Sequence, residues 1–200
     1  MKSRIFLLAA AVLLALPKPA LASGPPGAVS DGYARDERAL GADGSRLIYE
    51  SVAVEGTLLT DELRRAVDWT TLGSRRALTD AAQGAQSVHY KTIGRRMTAV
   101  NNLGWVVIQY TIWQEFGYDG TRITYGPPPT YDQQANWGWR LVSHAESSRW
   151  ITKSTYRTSR GDFAFEQEIW SPYGYIGLGK LTGWVAVYFR GTGAWTGTNS

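Results

Sequence analysis

The sequence predicts an all-β fold: an immunoglobulin-like, antiparallel β-sandwich of about eight strands, with a short helical segment ahead of it. Three observations lead there. From Gln86 onward, glycines separate short β-branched and aromatic runs, the pattern of strands joined by tight turns. Eight of the nine tryptophans lie at or after Trp105. The stretch 105–113 (WVVIQYTIW) sets Val106, Ile108, Tyr110 and Ile112 on one face and Trp105, Val107 and Trp113 on the other. Both faces are apolar, as in a central strand of a packed sheet.

Taken in order, the chain opens with Lys2 and Arg4, an apolar run over 5–16, and Ala20-Leu21-Ala22. This reads as a secretory signal peptide over residues 1–22, cleaved after Ala22, and an extracellular location is expected. The run is shorter than the roughly 20 apolar residues that span about 30 Å of hydrocarbon. No later segment reaches that length, so no transmembrane segment is expected in the mature chain. Cleavage removes Lys2, Arg4 and Lys18 and no acid, so 21 basic against 17 acidic residues become 18 against 17. That near-balance lacks the basic excess of a nucleic-acid-binding domain, and no nucleic-acid partner is expected. There is no cysteine, which excludes disulfides, Cys-ligated zinc and thiol catalysis. The mature chain must be held by its core alone, and it is long enough to build one.

Residues 23–44 are rich in Gly, Pro, Ala, Ser and Asp and almost without large apolar side chains. They are expected to form a disordered tether. Residues 45–85 are expected to be a helical or irregular lead-in packed on the domain. Within them 60–83 carries the helical features: Thr60 as cap, Asp61 and Glu62 in the first turn, and Leu63, Ala66 and Val67 at helical spacing. The sandwich occupies 86–200. After 105–113, Tyr118-Asp119-Gly120-Thr121 reads as a type I′ hairpin turn with its return strand at 122–125. Pro127-Pro128-Pro129 stops pairing, because proline has no N–H for the ladder. Further strands are expected at 137–143, 149–157, 162–170, 175–178 and 184–190.

The segment 158–170 (TSRGDFAFEQEIW) contains Arg160-Gly161-Asp162, a tripeptide that adhesion receptors read on hairpin tips. With Arg160 and Gly161 as the two central residues of a hairpin loop, Trp150, Tyr156, Phe165 and Ile169 fall on a core side. Arg149, Lys153, Arg157, Glu166 and Glu168 fall on a wet side. The tripeptide then serves as a turn rather than as an adhesion motif. Glu166 and Glu168 share a face, as two hydrolytic carboxylates must, about 5–5.5 Å apart for a retaining glycosidase. Lys153 opposite Glu168 on that face points instead to a surface cross-strand ion pair, and Glu115, on another strand, is a further carboxylate that could join a hydrolytic pair. The family-11 xylanases share this size and aromatic content, but their glutamate-bearing segments are not found. His89 and His144, the only histidines, have no companion pattern of a triad or a zinc site, and no nucleophile elbow lies near His144. No metal, cofactor or catalytic residue is therefore assigned.

The aromatic surplus carries the functional reading. Tyr131, Trp137, Tyr173 and Tyr175 sit on expected loops or strand ends, where exposed rings bind sugars or settle at a membrane surface. Residues from Leu103 to about Trp195 also resemble a loose group of small secreted β-proteins from actinomycete-type bacteria. The resemblance rests on the apolar strand 104–113, then Phe116-Gly117-Tyr118-Asp119-Gly120, Thr121-Arg122-Ile123-Thr124, the strand at Trp137-Gly138-Trp139, and Gly161-Asp162-Phe163-Ala164-Phe165. A tryptophan and a cysteine of that group stand where Phe116 and Gly117 stand here. The resemblance implies an immunoglobulin-like sandwich and a secreted life, and no catalytic residues. The expected function is that of a secreted, non-catalytic binding or surface protein, with extracellular glycan or the cell envelope as partner. The alternatives are a glycoside-hydrolase-type enzyme and a membrane-active toxin; a toxin of the sea-anemone type would need an amphipathic N-terminal helix that this chain's polar, glycine-rich N-terminal segment does not offer.

Overall fold

Alternation with period two sorts apolar from polar side chains along most of this chain, and the result is a pair of sheets. The computed structural model describes residues 33–40, 42–55, 69, 88–172 and 174–200, with the backbone alone at 55, 170, 171 and 174–176. Ten strands form: β1 (Tyr33–Ala39), β2 (Arg46–Glu55), β3 (His89–Val100), β4 (Val106–Tyr118), β5 (Ile123–Tyr125), β6 (Thr130–Ala135), β7 (Trp139–Thr152), β8 (Tyr156–Ser171), β9 (Gly174–Arg190) and β10 (Trp195–Asn199). One antiparallel sheet runs β1-β2-β3-β4-β5, with β6 also paired to β4; the other runs β10-β9-β8-β7. The all-β expectation is met, and β4 is central with two apolar faces as its sequence requires.

The segment expected as a tether carries β1, and the lead-in carries β2. The reason lies in β2. Leu47, Tyr49 and Ser51 face the second sheet, while Ile48, Glu50 and Val52 on the outer face are buried too. Glu50 tolerates that burial because Arg96 pairs with it at 2.6 Å and the Tyr33 hydroxyl donates to it, and a buried carboxylate needs such partners. The helix expected over 60–83 lies outside the described residues except for Trp69. Trp69 is helical and buried, and packs with Val52 and Trp113 on the outer face of β4.

The core between the sheets is two apolar clusters. Met97, Ile108, Tyr110, Ile112, Phe163, Phe165 and Val185 anchor the larger one. Ile93, Phe116, Val187, Phe189 and Trp195 anchor the other. A polar belt lies between them. The Ser159 hydroxyl donates to Gln114 Oε1 at 2.5 Å and meets Ser148 Oγ at 3.0 Å. Arg95 donates to Ser51 Oγ at 2.8 Å and to the Asn199 side chain, with its guanidinium over the Tyr49 ring. Burial pulls the Arg95 pKa down to about 10.

Two turn assignments change. The first hairpin turn centres on Gly120-Thr121 rather than Asp119-Gly120: Asp119 N donates to Arg122 O at 3.1 Å. Positive φ falls on Gly120 alone, at 90°, whereas a type I′ turn needs it at both central residues. Asp119 instead accepts from Thr121 N, Thr121 Oγ1 and Arg122 N, which holds its carboxyl below the usual range.

The larger correction concerns Arg160-Gly161-Asp162. These residues form no turn. β8 runs straight through them, paired to β7 on one side (Ser147↔Arg160, Glu146↔Gly161, Ala145↔Asp162) and to β9 on the other. The hairpin turn falls at Lys153-Ser154-Thr155, where Ser154 takes φ 58°. Ser159 and Gly161 face the core; Arg160 and Asp162 face solvent, where Arg160 Nε donates to both Asp162 carboxylate oxygens at 3.0 Å. The tripeptide is the middle of an inner strand, so no hairpin tip presents it.

Candidate functional site

Among the described residues, the most exposed aromatic pair sits at one end of the sandwich. The β3–β4 turn is built by Asn101, whose side-chain oxygen accepts from Leu103 N at 3.0 Å and Trp105 N at 2.9 Å. This closes the turn early and leaves Leu103 and Trp105 projecting from it. The β6–β7 turn is docked beside it, with Asn136 N donating to Val107 O at 2.8 Å and Asn136 Nδ2 to Val106 O at 3.3 Å. Trp137 follows, and stacks on Trp105 with centroids 4.9 Å apart and planes 17° from parallel. Trp105 is 49 % and Trp137 61 % exposed, and stacking occupies one face of each ring. Trp137 holds φ 58°, a left-handed conformation that costs a side-chain-bearing residue about 1–2 kcal/mol. Such strain persists where the surroundings over-determine it, and it clusters at functional positions.

The β8–β9 hairpin extends toward the same end. Gln167 is the last β8 residue paired with β7, opposite Trp139, and Glu168 N donates to Gly138 O at 2.8 Å. Ile169 and Leu178 on this overshoot are 47 % and 55 % exposed.

Of the residues expected as ligand contacts, Trp137 lies in this exposed pair. Tyr131, on β6, is half-buried and stacks on Tyr110 at 5.8 Å, so its ring is engaged within the protein. Tyr173 lies outside the described residues, and Tyr175 is placed by backbone alone, opposite Trp170. Sequence reasoning assigned Trp105 to a strand face and so missed its part in the pair. The preceding Asn-Asn-Leu-Gly, a strong turn composition, was the available sign that Trp105 belongs to a turn.

Tyr131 enters a chain of hydrogen bonds. Its hydroxyl meets His144 Nε2 at 2.9 Å, His144 Nδ1 meets Glu146 Oε1 at 3.1 Å, and Tyr110 donates to the same Glu146 oxygen at 3.0 Å. The chain ties β6 to β7 and, through Tyr110, one sheet to the other. His89 stands apart from it, on β3, stacked on Tyr118 at 5.4 Å. Burial first, then the Glu146 charge, drive the Tyr110 hydroxyl pKa well above the tyrosine range, and burial also raises Tyr49.

A raised folded pKa means the neutral phenol is favoured in the fold. The contribution is complete below the unfolded value of about 10 and is lost as pH climbs above it. Arg95, with its pKa lowered, acts in the opposite sense over the same window. Stability measured by urea unfolding from pH 8 to 11 is expected to fall above about pH 10, and less steeply in Tyr110→Phe than in the parent. Comparing the two cancels the Arg95 contribution; identical alkaline slopes would refute the assignment to Tyr110.

Glu115 is separated from the other two candidate carboxylates, on the far side of the sandwich. Glu115 lies on the outer face of β4, because Gln114 beside it points inward to Ser159. Glu166 and Glu168 lie on the outer face of the other sheet, where Arg140 reaches Glu168 at 2.6 Å and Glu166 at 3.6 Å, and Lys180 reaches Glu166 at 3.5 Å. The surface ion pairing expected for the two glutamates is present, with Arg140 and Lys180 as partners in place of Lys153. Among the described residues no group of His, Asp or Glu is placed to hold a metal ion, and no helix is long and apolar enough to cross a membrane. No protein-family model, curated protein or solved structure matches the chain.

Proposed function

We propose that the protein is a secreted, non-catalytic binding or surface protein that contacts extracellular glycan through the aromatic end of its sandwich. The observation that carries this reading is the Trp105–Trp137 stack, two large rings left in solvent on adjoining turns. Rings of this size normally bury their area in a core. Grouped in the open with Leu103, 64 % exposed, they make the kind of apolar patch that marks an interaction site. The strained backbone at Trp137 supports the same reading, because it holds one ring in a fixed position.

Retention on insoluble chitin, cellulose and peptidoglycan tests it. The parent is expected to be retained on at least one, and Trp105→Ala/Trp137→Ala to lose about tenfold or more of that affinity while remaining folded. No retention on any of the three, or equal retention of the double variant, would remove the basis of the proposal. Leu103, Ile169 and Leu178 near the same end favour a second reading, contact with a lipid surface. Co-sedimentation with anionic and neutral vesicles, and dye leakage from them, would replace the glycan reading with that one.

A further inference from the structure

At the opposite end of the sandwich three turns converge: β4–β5, β7–β8 and β9–β10. They are fastened to one another by backbone bonds, Ile123 N to Ser154 O at 2.6 Å and Gly191 N to Thr155 O at 2.9 Å. Between them lies an open cavity of about 340 Å³ lined by Thr121, Thr152, Thr155, Tyr156, Arg190, Gly191 and Thr192. A cavity of this size suits one small molecule.

The lining has a definite chemical character. It offers the hydroxyls of Thr152, Thr155 and Thr192, a phenol and one guanidinium, and no carboxylate; the Thr121 hydroxyl is given to Asp119. Arg190 lies over the Tyr156 ring at 4.9 Å and makes no ion pair among the described residues. The acid closest in the chain, Asp119, is occupied by the three donors of its own turn. The backbone of Arg122 packs against Gly191 and closes that side of the cavity. A guanidinium steadied on an aromatic face, beside hydroxyl donors, matches the planar oxygens of an oxyanion.

We infer that this cavity binds an oxyanion-bearing small molecule, through Arg190 and the threonine hydroxyls around it. The chemistry is shared by the carboxylate of an acidic sugar and by a free inorganic anion. The site lies at the far end from the tryptophan stack and does not depend on it.

The test is titration of the full chain with sodium glucuronate, sodium sulfate and, as neutral control, glucose, each up to about 10 mM, followed by calorimetry and by amide chemical shifts of residues 152–156 and 190–192. Saturable binding of glucuronate or sulfate without binding of glucose is expected, with at least about a tenfold loss in Arg190→Gln and a smaller one in Thr155→Val. Glucuronate tenfold tighter than sulfate assigns the site to an acidic sugar; equal or tighter sulfate assigns it to a free anion. No saturable binding of either anion, or undiminished binding by a folded Arg190→Gln, overturns the inference. Since Trp105 and Trp137 are untouched in these variants, failure here is separable from failure of the glycan reading.

Discussion

Replacing Gly161 with alanine destabilises the fold by about 1–3 kcal/mol, the usual cost of forcing atoms into a packed core. Alanine in place of glycine within a strand ordinarily helps, because it lowers the entropy of the unfolded chain. Here a Cβ would sit 2.8 Å from Tyr110 Oη and 2.9 Å from Tyr110 Cε1. Tyr110 cannot withdraw: it is fully buried and bound to Glu146. The two sheets approach closely at this point because one of them has no side chain there. Gly161→Asn is expected to be worse than Gly161→Ala, whereas a turn needing positive φ would tolerate Asn better than Ala. Tyr110→Phe should recover part of the loss in a double-mutant cycle, since it removes the atom in closest conflict. Urea unfolding of the four variants checks this, and an Asn variant as stable as the Ala variant would contradict it.

Phe165→Ala is expected to cost about 3–5 kcal/mol, and Ile169→Ala only about 0.5 kcal/mol. Both residues lie on the same face of β8, four apart, and a simple count of alternation treats them alike. Phe165 is paired between Leu141 and Leu181 and is fully buried beneath the other sheet. Ile169 lies past the last β7 partner, and among the described residues it is left 47 % exposed. Burial, not face, sets the cost. Comparable losses in the two variants would mean that something covers the end of the β8–β9 hairpin.

Those two residues also show what the sequence could and could not convey. The class of fold and the two apolar faces of β4 follow from periodicity and composition, which are local. Register is not local. Ser-Arg-Gly-Asp has the composition of a turn, yet here each residue answers to a strand's alternation: Ser159 reaches Gln114 across the core, Gly161 makes room for Tyr110, and Arg160 neutralises Asp162 outside. Nothing within four residues reveals Gln114 or Tyr110, the two partners across the core. β1 and β2 were hidden for a similar reason. Glu50 reads as surface until Arg96 and Tyr33 are placed beside it. At the candidate site, Trp137 was legible only as one of the clustered aromatics at an expected strand end. Its stacking partner is harder to read: the apolar pattern of 105–113 assigns Trp105 to the strand, against the turn composition of Asn101-Asn102-Leu103-Gly104 before it.

The Trp105–Trp137 stack is the centre of the functional account, and its indole N–H resonances report on it directly. We would titrate the ¹⁵N-labelled protein with chitin oligosaccharides, cello-oligosaccharides and soluble peptidoglycan fragments while following all nine tryptophans. The account predicts saturable shifts of the Trp105 and Trp137 signals with at least one of these, while Trp113 and Trp195, each only 2 % exposed, stay in place. Unmoved Trp105 and Trp137 signals against all three ligand classes, or shifts confined to other tryptophans, would contradict it.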